Sequence, residues 1–159
     1  MYNNEEEKYM VRINIYGLDQ FVVGEMSARC SKDIAKIYEM DPDEIHFIAP
    51  NSMVFHNGEE QTSWRVFIEV TAPKKVEVLQ EQICALLSHY VSEAAIHLEI
   101  VFRYYSQDHY FKKMNPDYPL FLEDKNTVVF EDEEYHEDME EGEGEDEIFT
   151  GDIFENLKK

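Results

Sequence analysis

Apolar and polar residues alternate from Val11 to Tyr16, with Val11, Ile13 and Ile15 on one side and Arg12, Asn14 and Tyr16 on the other. That two-residue period marks a half-buried strand. After Gly17-Leu18-Asp19 the period lengthens: Val22, Met26, Cys30, Ile34 and Ile37 fall on one helical face, which Val23 and Tyr38 widen. Asp19 is placed to cap this helix and Asp41-Pro42 to stop it, while Gly24 weakens its first turns by up to ~1 kcal/mol relative to Ala. Glu44–Ala49 (EIHFIA) reads as a second strand, closed by Pro50-Asn51. Val54-Phe55 followed by His56-Asn57-Gly58 predicts a short strand and a tight turn.

The same plan then repeats. Trp64, Val66, Ile68 and Val70 alternate with Arg65, Phe67, Glu69 and Thr71 as a third strand. Thr71-Ala72-Pro73 reads as a helix start, with Thr71 as cap and Pro73 in the first turn. Val76, Leu79, Ile83, Leu86, Leu87 and Tyr90 supply the apolar face of a helix about five turns long. The stretch 97–105 (HLEIVFRYY) closes the unit as a strand. Residues 10–49 and 64–104 are therefore two strand–helix–strand units with no evident identity between them. In each, the crossover should be right-handed and the two strands parallel. The predicted fold class is α+β: two βαβ units forming a four-stranded mixed sheet with two helices on one face. Two helices leave the other face open. Ile13, Ile68, Val70, Ile100 and Phe102, joined by aromatics on both sides, predict that oligomerisation covers it.

Past Tyr105 the regular periods stop. Two short apolar runs, Tyr118–Leu122 and Thr127–Phe130, read as edge strands or an extended arm. The expected organisation is a flexible N-terminal extension (1–9), a domain (10–122), an acidic disordered segment (123–147) and a short apolar C-terminal segment (148–159). Within that last segment, Ile148, Phe149, Ile153, Phe154 and Leu157 regain helix-like spacing, so Ile148–Leu157 is a candidate docking peptide for a protein partner.

Composition narrows the function classes. A chain of 159 residues, 43% hydrophobic, with ten Phe and ten Tyr, suits one packed domain with a tail. The formal charge of −21 is concentrated: residues 131–147 hold twelve carboxylates and no Lys or Arg. Such a chain lacks the basic face that phosphate neutralisation needs, so no nucleic acid is expected. No apolar run approaches the ~20 residues of a membrane span, and the opening MYNNEEEKY is unlike a signal peptide. A soluble, cytoplasmic protein with no membrane association is the expectation. Cys30 and Cys84 both fall in predicted helices beside apolar residues and read as free thiols.

Specific chemical signatures are few. His46, His56, His89, His97, His109 and His136 show no metal-ligand spacing, so no metal is predicted, and no cofactor motif is present. Of these, His109, among Tyr105, Tyr110 and Phe111, is the candidate acid or base. The serines show no nucleophile elbow. Lys74 and Lys75 near a helix start read as solvated lysines or as an anion site. The acidic tail lacks the spacing of a calcium loop.

The combination of two βαβ units, the passage IHFIAPNSMVFHNG, the strand LEIVFRYYSQ and the aromatic stretch HYFKKMNPDYPLF resembles the tautomerase superfamily, the fold of macrophage migration inhibitory factor. The likeness covers about residues 10–122 and is closest to a small, uncharacterised bacterial branch. It implies a homotrimer and a pocket at the start of the first strand, completed by a neighbouring subunit. The residues it implies there are Val11, Arg12, Arg65, Arg103, Tyr104 and Tyr105, with His109 added from its aromatic surroundings. Three arginines suit a small carboxylate ligand. In that superfamily an amino-terminal proline is the general base. Aligning Gly17 with the family glycine puts Val11 at that position, and none of the five prolines lies near the amino terminus. A peptide nitrogen is no base near neutral pH. Two readings follow: a trimer without proline-dependent activity that serves in binding or structure, or a tautomerase-like isomerase using another base on a carbonyl or carboxylate substrate.

Overall fold

The alternation at Val11, Ile13 and Ile15 becomes β1 (Val11–Tyr16), with those three side chains buried and Arg12 exposed. The computed structural model describes residues 9–123. Asp19 caps α1 (Gln20–Tyr38) as expected, its carboxylate accepting from Phe21 N at 2.8 Å. The buried face runs through Val23, Met26, Cys30, Ile34, Ala35 and Tyr38, with Val22 and Ile37 on its margins. Gly24 is exposed and the helix continues through it. Glu39 ends α1, in the left-handed conformation that turns its N–H back to Ala35 O and Lys36 O. Asp41-Pro42 then opens a separate 3-10 turn (Pro42–Glu44) that leads into β2 (Ile45–Ile48).

The loop after β2 carries the expected short strand and turn. β3 (Phe55–His56) pairs with β4 (Glu59–Glu60), and Asn57 and Gly58 take the positive φ values of the tight turn. This loop packs on Gly17, whose φ is +84° and where a Cβ would lie 2.7 Å from Arg65 O and 2.9 Å from a Val54 methyl. Only glycine combines that backbone conformation with that approach.

The second unit departs from expectation at its helix start. β5 (Arg65–Pro73) continues through Thr71, Ala72 and Pro73, and Thr71 caps nothing. Nine registered pairs with β6 (His97–Tyr105) run to Pro73–Tyr105, and Ala72 is fully buried. Pairing and burial outweigh the local helix signal, and proline at a strand's last position forfeits little. A 3-10 segment (Lys74–Leu79) then leads into α2 (Gln80–Val91), which buries Ile83, Leu87 and Val91. The expected helix of five turns is thus a shorter α-helix behind a tighter lead-in.

The sheet order is β2-β1-β5-β6, with β1–β2 and β5–β6 parallel and β1–β5 antiparallel. The fold is α+β, a four-stranded mixed sheet with both helices on one face. Register corrects the reason given for covering the other face. Ile13 pairs with Val70, and Val70 in turn with Phe102; Ile68 pairs with Ile100. These five belong to the helix-side core. The open face instead displays Arg12, Asn14, Tyr16, Ile48, Arg65, Phe67, Glu69, Glu99, Val101 and Arg103, a mixture of charge and half-exposed apolar surface.

The chain divides between Lys113 and Met114. Tyr118–Leu122 forms no strand; before it, Asn115 accepts from Asp117 N at 3.0 Å and from Tyr118 N at 3.3 Å, a turn that commits its backbone locally. The expectations for Thr127–Phe130, the acidic segment from residue 124, His136, Ile148–Leu157 and residues 1–8 lie outside the described residues. Among the described residues, no helix is long and apolar enough to cross a membrane.

Candidate functional site

The start of β1 is where the two βαβ units bring chain ends together. Parallel pairing sets Ile45 beside Val11, antiparallel pairing sets Thr71 beside Arg12, and Arg103 stands across Thr71 on β6. Arg12 and Arg103 therefore flank one row of the open face, about 10 Å apart at two strand spacings. Tyr105 follows on the same strand. Its hydroxyl donates to Met10 O at 2.7 Å and accepts from Met10 N at 3.0 Å. Both peptide groups immediately before Val11 are thus held by one phenol, and burial raises that phenol above its ordinary value. Tyr110 packs against Tyr105 with ring centroids 5.6 Å apart. Lys75 places its ammonium 3.6 Å from the centre of the Tyr9 ring.

Glu44 adds a feature that no sequence pattern indicated. Its side chain is nine-tenths buried at the entry to β2, with Oε1 bound to Lys112 Nζ at 2.7 Å. Its Oε2 has no hydrogen-bond partner among the described residues. A lone carboxylate before a strand carries no periodic signal, and its lysine lies 68 residues away.

The sequence-chosen residues separate into groups. Arg12, Arg103 and Tyr105 come together near the start of β1. Arg65 shares their face but sits at the other end of β5, about 20 Å from Thr71 along the strand. Val11 is fully buried beneath the helices. Tyr104 also turns to the helix side, its hydroxyl donating to Gln80 at 3.0 Å. His109 is exposed in a short 3-10 turn after β6.

The arginines also have partners. Arg65 pairs with Glu99 at 3.2 Å and Arg103 with Glu69 at 3.1 Å, both diagonally across β5 and β6. Tyr16 extends the second pair toward Asn14 through contacts of 3.5 Å. A shallow hollow of about 410 Å³ lies between these pairs, lined by Tyr16, Phe67, Glu69, Glu99 and Val101 with the adjoining backbone. Glutamate side chains thus already meet two of the three proposed carboxylate clamps, while Arg12 has no ion pair among the described residues. Alternation put Glu69 and Glu99 on the arginines' face, but only register makes them diagonal neighbours. Among the described residues, no group of three His, Cys, Asp or Glu side chains could hold a metal ion.

Comparison with known proteins follows the same outline. Residues 10–116 match the family described as Domain of unknown function (DUF1904). A solved member of that family from Sebaldella termitidis is 23% identical, with a TM-score of 0.59 over 65% of this chain and 95% of its own. The macrophage migration inhibitory factor-like protein of Entamoeba histolytica is 11% identical, with a TM-score of 0.53 over 65% of this chain and 94% of its own. The macrophage migration inhibitory factor homologue of Prochlorococcus marinus is 9% identical, with a TM-score of 0.53 over 65% of this chain and 95% of its own. Such low identities carry the fold alone. No curated protein matches the sequence.

Proposed function

The chain belongs to the DUF1904 family and has the macrophage migration inhibitory factor-like fold, and from that premise we propose that it is a homotrimeric binding or structural protein without proline-dependent tautomerase activity. The observation that carries this reading is the clasp of Tyr105 on both peptide groups of Met10. General-base chemistry at the start of β1 needs an unprotonated amine beside the substrate. Here that position is the nitrogen of the Met10–Val11 peptide, an amide whose carbonyl accepts from the Tyr105 hydroxyl. The paired Arg65 and Arg103 support the same reading, because an incoming carboxylate has to displace Glu99 or Glu69. The assembly reading rests on the uncovered sheet face, where Phe67, Val101, Ile48 and Tyr16 lie among charges of which Arg65 and Glu99, and Arg103 and Glu69, neutralise one another.

Two measurements on the full chain test the proposal. Sedimentation at micromolar concentration is expected to return three times the chain mass, and a single-chain mass overturns the trimer. Phenylpyruvate tautomerisation is expected to proceed no faster than in buffer. Catalysis that disappears in Arg12→Ala would instead establish the isomerase reading, with Arg12 holding the substrate carboxylate.

A further inference from the structure

The opposite end of the sheet, where β1 finishes and β5 and β6 begin, displays a set of large apolar side chains to water. Phe21 is 78% exposed, Met53 61%, Phe55 60%, Trp64 53% and Ile96 63%. Backbone contacts bring their segments together. Ser63 N donates to Gly17 O at 2.8 Å, Gln61 N to Val54 O at 2.6 Å and His97 N to Trp64 O at 2.8 Å. Phe21 stands in the first turn of α1, just after Asp19, and takes no part in that helix's buried face. The β3–β4 hairpin has all four strand residues exposed, and a two-stranded ribbon of that size is marginal by itself. Scattered exposed apolar residues are ordinary; several gathered at one end of a fold mark an interaction surface.

Charge decides what the surface fits. Glu60 faces Phe55 across the hairpin and Glu59 faces His56. Neither glutamate has an ion-pair partner among the described residues. A second copy meeting this surface through the same patch would set Glu59 and Glu60 against their own counterparts, in a chain whose net charge is already −21. We propose that this end of the sheet docks a segment of another protein that carries an apolar stripe flanked by Lys or Arg. Phe21, Phe55 and Trp64 receive the stripe, and Glu59 and Glu60 pair with its cations. The surface lies at the other end of the sheet from the start of β1, and its argument uses none of the residues that carry the function proposed above.

Trp64 is the only tryptophan in the chain and lies within the patch, so its emission reports occupancy directly. The probe is a synthetic amphipathic peptide of leucine and lysine, titrated into the full chain, with the leucine and glutamate counterpart as control. The expected result is a saturable blue shift with the lysine peptide and none with the glutamate one. Phe21→Ser, Phe55→Ser and the pair Glu59→Gln/Glu60→Gln should each weaken binding by about tenfold. Val78→Ser, at an 86% exposed site on the segment before α2, should leave it unchanged. Far-UV spectra and unfolding midpoints matching the parent verify that each variant is folded. Lysine peptide held only by the acidic residues 131–147 would leave Trp64 and the variants' affinities unmoved, which overturns the proposal. A blue shift with rising concentration of the protein alone also overturns it, by making a second copy the occupant.

Discussion

Cys30 lies on the buried face of α1 without exposure, and burial pushes its thiol from an ordinary value of 9.0 up to about 11. Cys84 is only partly buried on α2. At about pH 8 a thiol-specific chromogenic reagent is therefore expected to titrate Cys84 in the folded chain and Cys30 only on unfolding. The pH dependence has a definite sign. Folded Cys30 holds its proton more tightly than the unfolded thiol, so between those two values the native state binds more protons. Stability is then undiminished below the ordinary thiol value and falls as pH rises through the window above it. Burial of Tyr38 raises its phenol in the same sense. Urea midpoints of parent and Cys30→Ala on both sides of the window isolate the thiol, and the variant should lose less on going alkaline. At this scale periodicity was informative: the spacing that placed Cys30 with Met26 and Ile34 is the spacing of the observed core. It was silent on Glu44, because a partner far along the chain leaves no local trace.

Glu44 and Lys112 act at the scale of elements, tying the segment after β6 to the entry of β2. The pair is mostly buried but Lys112 keeps 24% side-chain exposure, so solvent screens part of the interaction. Lys112→Met should lower stability by about 1–2 kcal/mol, less than breaking a fully buried pair, because a buried carboxylate loses the cation it is paired with. Glu44→Gln in the same chain should recover part of that loss, and urea midpoints of the four combinations give the coupling. Equal losses with no recovery would mean the two side chains act separately. Elements show where local signals fail. Thr71-Ala72-Pro73 has the composition of a helix start, yet those residues complete the ladder with Tyr104 and Tyr105. Asp41-Pro42 reads as a helix stop, yet Glu39 has already ended α1 by a left-handed turn. In both cases a backbone partner prevailed over a residue preference.

For the whole molecule, the proposed trimer depends on the open sheet face. Val101 is 47% exposed at its centre and directly opposite Glu69. Val101→Glu adds a like charge beside that glutamate without touching the helix-side core. If the face is buried between subunits, sedimentation should give a single-chain mass with the unfolding midpoint of the monomer preserved. An unchanged trimer would locate assembly on another surface.

The chain alone determined the two strand–helix–strand units, most of the helix-side core and the start of α1, because alternation, helical spacing and an Asp cap are properties of neighbouring residues. Tertiary structure decided the rest. Which strand lies beside which set Arg103 against Glu69 and Arg65 against Glu99, separated Arg65 from Arg12, and turned Val11 and Tyr104 toward the helices. It also brought the Tyr105 hydroxyl onto Met10, 95 residues away. Those contacts depend on register and crossover between distant segments, and a one-residue slip in pairing would reverse the face each side chain occupies.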